Sequence, residues 1–281
     1  MRYHIHSKAD IRPAIVIPTH KSEISPEEKI SLFQCQKILG NYAIYLLLPQ
    51  GVSTKAYEAI FPSLQILRVA PEKMSSISAY NKLMISPYIF NVLQSYTHVL
   101  IHEPDAIVLK DDLQFWCEQD FDYIGAPWFS SEAPNEFNLK ATGNYGLSLF
   151  KIKTVKDLFT SNPRWYSFSM IIRDLVRGIR GQKRYLKRGL LAMGAQGRIA
   201  NASVIYQDHC DIFWSYLIPK IAPHFRIAPP QTAIFFSWEK CPSKSLAICK
   251  GELPFGIHAW SKYDLEFLRP LLIKSGVSLL D

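Results

Sequence analysis

Two acidic residues break an apolar stretch in the first half of the chain. An apolar run at 99–101 is followed closely by Glu103-Pro104-Asp105, and a second apolar run comes next. In an open α/β sheet the ligand site usually lies just beyond the carboxyl ends of the strands. Mg²⁺ and Mn²⁺ take oxygen ligands and keep positions open for substrate phosphates. The pair therefore predicts a grip for a metal-bound diphosphate, and the alternative is a strand that ends in a solvated acidic turn.

Strand and helix patterns alternate through the first half. The predicted strands are 14–18, 42–48, 64–69 and 99–101. The predicted helices are 25–39, with a capping pattern at its start, and 78–96, with an interruption at Pro87. Repeated β-α units of this kind predict an α/β fold with a mainly parallel central sheet and helices on both faces.

The second half is less regular. A turn into a strand is predicted at 143–151, and helices are predicted at 165–179 and 210–221. Residues 178–197 are rich in glycine and in basic side chains, so we expect a mobile loop or insertion there.

Composition is that of a globular protein. With 281 residues and 48% hydrophobic composition, the chain can bury the core of one domain. Its five cysteines are scattered without a Cys-x-x-Cys pair, which argues against a zinc site or a disulfide framework. Residues 1–10 lack the apolar core of a signal peptide, and no apolar run approaches the roughly 18 residues of a membrane span. We therefore expect a cytoplasmic protein.

The net charge of +8 is unevenly distributed. One segment, 173–198, contains a single acid, Asp174, and the basic residues Arg173, Arg177, Arg180, Lys183, Arg184, Lys187, Arg188 and Arg198. Such clustering favours an anionic partner, either nucleotide phosphates or an anionic membrane surface that holds a lipid-linked acceptor. Nucleic acid is not expected, because no binding motif accompanies the charges. The alternative is a solvated surface.

Short sequence blocks point to a family. The most specific are Asp-Tyr-Ile-Gly-Ala-Pro-Trp at 122–128 and Phe-Gly-Ile-His-Ala-Trp at 255–260. Further blocks lie at 14–19, 75–84, 142–150, 213–214 and 236–239. On these blocks the chain resembles, over most of its length, a bacterial family of glycosyltransferase-like proteins catalogued as domain-of-unknown-function family 5672. Glu103 departs from the family's pattern, which has a more apolar approach to one Asp.

The resemblance implies a GT-A-like, Rossmann-like fold in a single domain, 1–281. Residues 11–130 would form the nucleotide-sugar-binding half, and 131–281 the acceptor-binding half with a basic insertion near 173–198. The implied activity is metal-dependent, inverting transfer of a hexose. The donor would be a nucleoside diphosphate sugar, with UDP expected, and the acceptor a hydroxyl on a surface polysaccharide or lipopolysaccharide precursor.

Two alternatives stay open. A sugar nucleotidyltransferase shares the nucleotide fold and the metal, but it normally has a glycine-rich, basic phosphate loop that 18–20 lacks. A catalytically silent carbohydrate-binding protein is the other alternative, because fold resemblance alone does not decide function.

The loop after the first predicted strand is a candidate for nucleotide contact. Pro18, Thr19 and His20 end that strand at the same sheet edge as Glu103 and Asp105. The alternative is an ordinary strand-to-helix loop.

A second candidate segment is Tyr80, Asn81 and Lys82, which the resemblance places on or near a helix that points toward the same edge. Lys82 would pair there with a phosphate oxygen, or it is simply a surface lysine.

The sugar is expected to contact Gly143, Asn144, Tyr145 and Gly146, because glycines let main-chain donors approach a ligand closely. Trp128 is a candidate platform for a sugar ring, although Trp is also a common core residue.

A late histidine completes the predicted metal site. GT-A transferases commonly bring such a residue back to the metal, and His258 lies in the Phe-Gly-x-His-x-Trp block. A neutral imidazole is a suitable third protein ligand for Mn²⁺ or Mg²⁺ beside Asp105. The alternative is a structural histidine.

Inverting transfer also needs a carboxylate base for the acceptor hydroxyl. The family has an acidic pair before an aromatic residue, and aligning that residue with Phe213 places Asp211 at the second acid and Cys210 at the first. Asp211 is thus the preferred base and Asp208 the reserve, unless either is a helix-start acid.

Overall fold

The structure, a computed structural model, describes residues 10–133 and 135–279. The expectation of no signal peptide depends on residues 1–10, of which 1–9 lie outside the described residues. The strands are β1 (Pro13–Pro18), β2 (Ala43–Pro49), β3 (Gln65–Val69), β4 (His98–His102), β5 (Ile107–Val108), β6 (Tyr123–Gly125), β7 (Pro127–Phe129), β8 (Leu139–Thr142), β9 (Leu147–Lys151), β10 (Ser237–Trp238) and β11 (Gly256–Ile257).

The helices alternate with these strands in the first half and dominate the second. They are α1 (Pro26–Leu39), α2 (Lys55–Glu58), α3 (Ile77–Met84), α4 (Tyr88–Val92), α5 (Leu113–Glu118), α6 (Ile152–Ser161), α7 (Phe168–Ile179), α8 (Lys183–Gly194), α9 (Ala202–Ile205), α10 (Cys210–Ile212), α11 (Ile218–Ile221), α12 (Pro230–Phe236), α13 (Pro242–Ile248) and α14 (Leu265–Lys274). A π-helical turn, Phe213–Leu217, joins α10 to α11. None of the helices in the described residues is long and apolar enough to cross a membrane.

Within the described residues, six strands form the central sheet in the order β3-β2-β1-β4-β9-β6. The β1–β2, β1–β4 and β2–β3 pairs are parallel, and β9 runs antiparallel to both of its neighbours. The predicted fold class, α/β with a mainly parallel sheet, is confirmed. The reversal of β9 turns its amino-terminal end toward the carboxyl end of β4.

Helices cover both faces of this sheet. Along β1, Ala14 and Val16 pack into one core cluster and Ile15 and Ile17 into the other, as the two-residue period of a strand requires. The first cluster includes side chains of α3, α4 and α6, and the second includes side chains of α1 and α5. Fully burying one such aliphatic side chain stabilises the fold by about 1.5–3 kcal/mol.

Several predicted helix boundaries are confirmed. Ser25 caps α1 in a reciprocal pair: its hydroxyl accepts from the Glu28 amide, and the Glu28 carboxylate accepts from the Ser25 amide at 2.9 Å. The predicted helix at 78–96 is divided into α3 and α4 just before Pro87, and the helix expected at 165–179 begins at Phe168.

The prediction of a loop at 178–197 is wrong, because most of that segment is α8, which packs against α7. Its glycines are contact points between helices. A Cβ on Gly178 would lie 2.3 Å from Leu186 Cβ, and one on Gly189 would lie 2.9 Å from the Leu175 side chain. Glycine here allows close packing of two helices.

Candidate metal centre and adjoining clefts

The two acids on either side of Pro104, Glu103 and Asp105, lie next to His258 at the carboxyl end of β4. Glu103, Asp105 and His258 each offer a ligand atom, and these atoms lie within 4.8 Å of one another. The His258 Nε2 atom is 3.3 Å from Glu103 Oε2 and 3.3 Å from Asp105 Oδ1. Two carboxylates and an imidazole form a donor set suited to Mn²⁺ or Mg²⁺ with a phosphate ligand.

A small sheet places the histidine beside the acids. In this sheet β11 pairs antiparallel with β5, with Ile257 opposite Ile107. The residue after Ile257 therefore lies near the residues before Ile107, which brings His258 to Asp105. Since β10 pairs parallel with β11, Glu239 follows Trp238 just as His258 follows Ile257. The Glu239 Oε1 atom is 3.6 Å from His258 Nδ1.

Gly146 makes room for the imidazole. Leu147 pairs with His102 across β4 and β9, so Gly146 lies beside Glu103 and accepts its amide hydrogen bond at 2.8 Å. A Cβ on Gly146 would lie 2.1 Å from His258 Nε2. A glycine at this position is required for the observed place of the ring.

The electrostatics of the cluster favour a cation. Burial lowers the pKa of the His258 imidazole, but the carboxylates of Asp105, Glu103 and Glu239 raise that pKa well above its usual range. Burial raises the pKa of Asp105, but His258 and Lys262 hold it well below its usual range. Neither ring nitrogen of His258 makes a hydrogen bond within the described residues. The residues present thus fit a divalent metal, because a cation bound here would take the place of the imidazolium proton among the surrounding carboxylates.

The first cleft, of about 430 Å³, opens beside this cluster. Its lining includes six of the predicted residues: Pro18, Thr19, His20, Tyr80, Glu103 and Asp105. The Thr19 hydroxyl is 2.9 Å from the Tyr57 hydroxyl. The Tyr80 hydroxyl donates to Glu103 Oε1 at 2.5 Å, and burial raises the pKa of Tyr80 well above its usual range. Tyr80 therefore stays protonated and holds the Glu103 carboxylate in place.

The neighbours of Tyr80 on α3 lie elsewhere. Asn81 is buried, and its Oδ1 accepts the backbone amide of Cys210 at 3.1 Å. Lys82 lines a separate cleft with Arg68. Consecutive helical residues point about 100° apart, so the three predicted residues of this segment cannot share one cleft.

A second cleft, of about 380 Å³, has Trp128 in its lining. The Trp128 ring stacks on Tyr216 at a centroid distance of 5.7 Å and an angle of 7°. A Cβ on Gly143 would lie 2.1 Å from the Trp128 ring, so this glycine permits the close contact. The predicted sugar platform lies on this cleft.

Two other residues of the predicted sugar-binding turn, Asn144 and Tyr145, are buried and do not line this cleft. Asn144 adopts a left-handed backbone, with φ of 38°, and its Oδ1 accepts the Gly146 amide at 3.2 Å. The structure thus shows a supporting role for this turn below the cluster, and its contact with a sugar stays a prediction.

The two candidate bases lie in different surroundings. Asp211 is part-buried at the start of α10, next to Ile212, which lines the second cleft. Burial raises the pKa of Asp211, and the Glu239 carboxylate raises it further. Asp208 is exposed and lines a third cleft beside α7 and α8. Asp211 thus responds to the charge of Glu239, the carboxylate that lies beside His258.

Sequence reasoning missed three residues. Lys262 lines the first cleft and donates to Asp105 Oδ2 at 2.6 Å. Glu239 was visible only as part of a matching block, and Tyr216 only as one aromatic among many. The i, i+4 spacing of His258 and Lys262 offered a weak signal, but no helix joins them.

The fold and the cluster define an α/β protein with a two-acid, one-histidine centre at the end of a parallel strand. The chain belongs to the family described as "Protein of unknown function (DUF5672)", whose model matches residues 63–258. No curated protein sequence matches the chain.

Three solved structures illustrate what the chain is similar to. Mouse xyloside xylosyltransferase 1 has 9% identity and a TM-score of 0.48, over 88% of this chain and 97% of that one. The glycosyltransferase GlyE of Streptococcus pneumoniae has 13% identity and a TM-score of 0.48, over 96% and 61%. The mannosyltransferase Ktr4p of S. cerevisiae has 17% identity and a TM-score of 0.35, over 44% and 42%. The chain thus spans less than half the length of Ktr4p.

Proposed function

We propose that this protein is a divalent-metal-dependent glycosyltransferase that moves a hexose from a nucleoside diphosphate sugar, with UDP as the expected nucleotide. The acceptor in this proposal is a hydroxyl of a surface polysaccharide or lipopolysaccharide precursor. The observation that carries it is the candidate metal site of Glu103, Asp105 and His258. This site borders the first cleft. The chain neighbours of Glu239 and Asp211, which are Lys240 and Ile212, line the second cleft.

The first cleft suits the donor. It has the size of a small-molecule site, and it lies at the carboxyl ends of β1 and β4, where parallel sheets bind nucleotides. Lys262 is largely exposed and pairs with Asp105, so its ammonium group can also balance phosphate charge. A divalent ion held by Glu103, Asp105 and His258 would neutralise the departing diphosphate.

The second cleft suits the acceptor. Stacked Trp128 and Tyr216 offer a broad apolar surface with polar groups nearby, and flat aromatic surfaces of this kind pack against the apolar face of a sugar ring. Lys240 and Glu132, which form an ion pair at 2.9 Å, stand at its rim. A glycan chain could bind here while its reactive hydroxyl points toward the metal cluster.

Asp211 is the proposed base, and its neighbour Ile212 lines the second cleft. The Ile212 amide donates to Asp211 Oδ1 at 2.7 Å, which leaves the other carboxylate oxygen to accept a proton. Because its pKa is raised, Asp211 accepts that proton more readily than an ordinary aspartate does. The acceptor oxygen then attacks the anomeric carbon, the bond to the diphosphate breaks, and the proton stays on Asp211.

Thermal stabilisation by nucleotide sugars tests the metal and donor roles. A ligand at one hundred times its dissociation constant stabilises the native state by about 2.7 kcal/mol. We expect such stabilisation with Mn²⁺ and its loss in Asp105→Asn, while Asp157→Asn, an exposed acid on α6, behaves as wild type. Unchanged metal-dependent affinity in folded Asp105→Asn would remove Asp105 from the site.

Product analysis tests the reaction itself. Transfer releases a nucleoside diphosphate, whereas a nucleotidyltransferase handles pyrophosphate. Release of pyrophosphate, or stabilisation by glycans without any nucleotide sugar, would replace the proposed reaction with one of the two alternatives.

A further inference from the structure

The helix α7 carries an apolar stripe that no part of the described chain covers. Phe168, Ile172, Val176 and Ile179 are exposed by 63%, 46%, 40% and 80%. Their spacing of four, four and three residues aligns them along one side of the helix. The buried side of α7 is a different one, and it packs on α8 through Ile171 and Gly178. An exposed stripe of this length marks an interaction surface.

The helix α8 extends the same surface. Met170 of α7 and Arg188 of α8 both line the third cleft, so this cleft marks one side of the α7–α8 hairpin. Ile172 lies roughly 200° around α7 from Met170, and Leu190 lies roughly 200° around α8 from Arg188. Leu190 is 50% exposed. The apolar stripe and Leu190 therefore share the side of the hairpin that faces away from the third cleft.

The exposed basic side chains of the hairpin divide between its two sides. Arg173 and Arg184 line the third cleft, and Arg177 lies over the Tyr185 ring there. Lys183 and Lys187, seven and three residues before Leu190, lie on the same side of α8 as Leu190. The single acid of the hairpin, Asp174, is fully buried and is held by two hydrogen bonds from Arg188, at 2.5 and 2.9 Å. The negative charge of Asp174 is therefore neutralised inside the hairpin, and every exposed charge on the hairpin is positive.

We propose that the α7–α8 hairpin docks this apolar and basic surface onto an anionic lipid bilayer. A helix with a wide apolar stripe and flanking Lys and Arg lies in the membrane interface, with its stripe at the acyl boundary and its cations among the headgroups. A second copy of this chain is a poor occupant, because pairing would press two cationic surfaces together. Nucleic acid would leave the stripe facing phosphates.

The proposal goes beyond the proposed function and depends on none of its residues. Docking would hold the chain at the membrane surface, where lipid-linked substrates are found. The hairpin reaches the rest of the protein through α9 and the segment that contains Asp208.

Vesicle flotation without nucleotide or metal tests the proposal. Wild type should float with vesicles that contain phosphatidylglycerol and stay behind with pure phosphatidylcholine, and high salt should weaken the binding. The triple variant Ile172→Ser, Val176→Ser, Ile179→Ser should lose at least about tenfold in partitioning. All three side chains are exposed, so circular dichroism should show an unchanged fold.

Matched controls keep the test specific. Val92→Ser, Phe115→Ser and Ile273→Ser remove three exposed apolar side chains elsewhere and should leave flotation intact. The charge variant Arg180→Gln, Lys183→Gln, Lys187→Gln should bind more weakly and respond less to salt. No flotation of wild type, equal binding to neutral vesicles, or equal loss in the control triple would overturn the proposal. A wild-type dimer that the stripe variant dissociates in sedimentation velocity would assign the surface to a second copy.

Because the assay contains no donor, its result is independent of transferase activity. If the protein floats with vesicles but binds no nucleotide sugar, the membrane surface is supported and the proposed reaction is rejected. If it binds nucleotide sugar but does not float, the proposed reaction is supported and the membrane surface is rejected.

Discussion

Gly146→Ala is the perturbation that tests the metal centre most directly without touching a ligand. The added Cβ would lie 2.1 Å from His258 Nε2, whereas ordinary contacts begin near 3.4 Å. The ring must therefore move by more than about 1 Å. Metal–ligand distances tolerate only about 0.2 Å of change, so the displaced imidazole can no longer serve as a ligand.

The expected loss is in metal affinity more than in stability. The clashing atom is the far end of a side chain, which can swing aside, so the cost in unfolding free energy should be about 1–3 kcal/mol. Misplacing a ligand should weaken Mn²⁺ binding by at least the 10- to 100-fold that follows when a ligand loses its hydrogen-bond partner. Titration of Mn²⁺ followed by electron paramagnetic resonance, in the presence of UDP, measures this. Gly194→Ala is the matched control, because a Cβ there meets nothing within 4 Å.

A double-mutant cycle separates displacement from a general disturbance. If Gly146→Ala acts by moving His258, it should add little to the loss caused by His258→Ala, because both changes remove the same ligand. Fully additive losses, or a folded Gly146→Ala variant with Mn²⁺ affinity within twofold of wild type, would refute the reasoning.

Three further outcomes are expected. Asp211→Asn should cut turnover by about 10²- to 10⁴-fold with donor affinity unchanged, and Asp208→Asn should reduce turnover less. Wild-type activity should fall as the pH drops through the raised pKa of Asp211. A larger loss of turnover in Asp208→Asn than in Asp211→Asn would make Asp208 the base. Trp128→Ala should raise the KM for the acceptor and not for the donor, and an effect on the donor alone would contradict our assignment of the second cleft. Burial raises the pKa of Asp174, but the hydrogen bonds from Arg188 and Tyr166 hold it below its usual range. The stability from this pair is therefore present above the unfolded pKa of Asp174 and lost as the pH falls through its folded pKa. Urea unfolding should show that Asp174→Asn is less stable than wild type by about 3 kcal/mol at neutral pH. This difference should shrink in acid.

The local sequence signals were sufficient where a physical rule acts over a few residues. The reciprocal cap of α1 follows from Ser25 and Glu28, and the buried strands β1 and β4 follow from their apolar runs. Asp105 could be placed because an acid just past a parallel strand points to the ligand edge.

Long-range pairings could not be predicted in this way. The strands β5, β10 and β11 have two residues each, too few for a periodic pattern. Their pairing nevertheless brings His258 and Glu239 to the acids of a loop far earlier in the chain. The helix α8 was missed for another reason, since Gly178 and Gly189 look like loop residues until the partner helix is known.

The same pairings make the metal centre sensitive to strand register. Because side chains alternate across a strand, a one-residue slip of β11 against β5 would turn His258 to the opposite face and bring Ile257 toward Asp105. The slip is opposed by the buried Trp238 and Trp260 on either side, since Trp260 donates to Ser31 Oγ at 2.7 Å and Trp238 to the Ile234 carbonyl at 2.7 Å. Trp238 of the block at 236–239 and Trp260 of the block at 255–260 therefore hold the strand register on which the position of His258 depends.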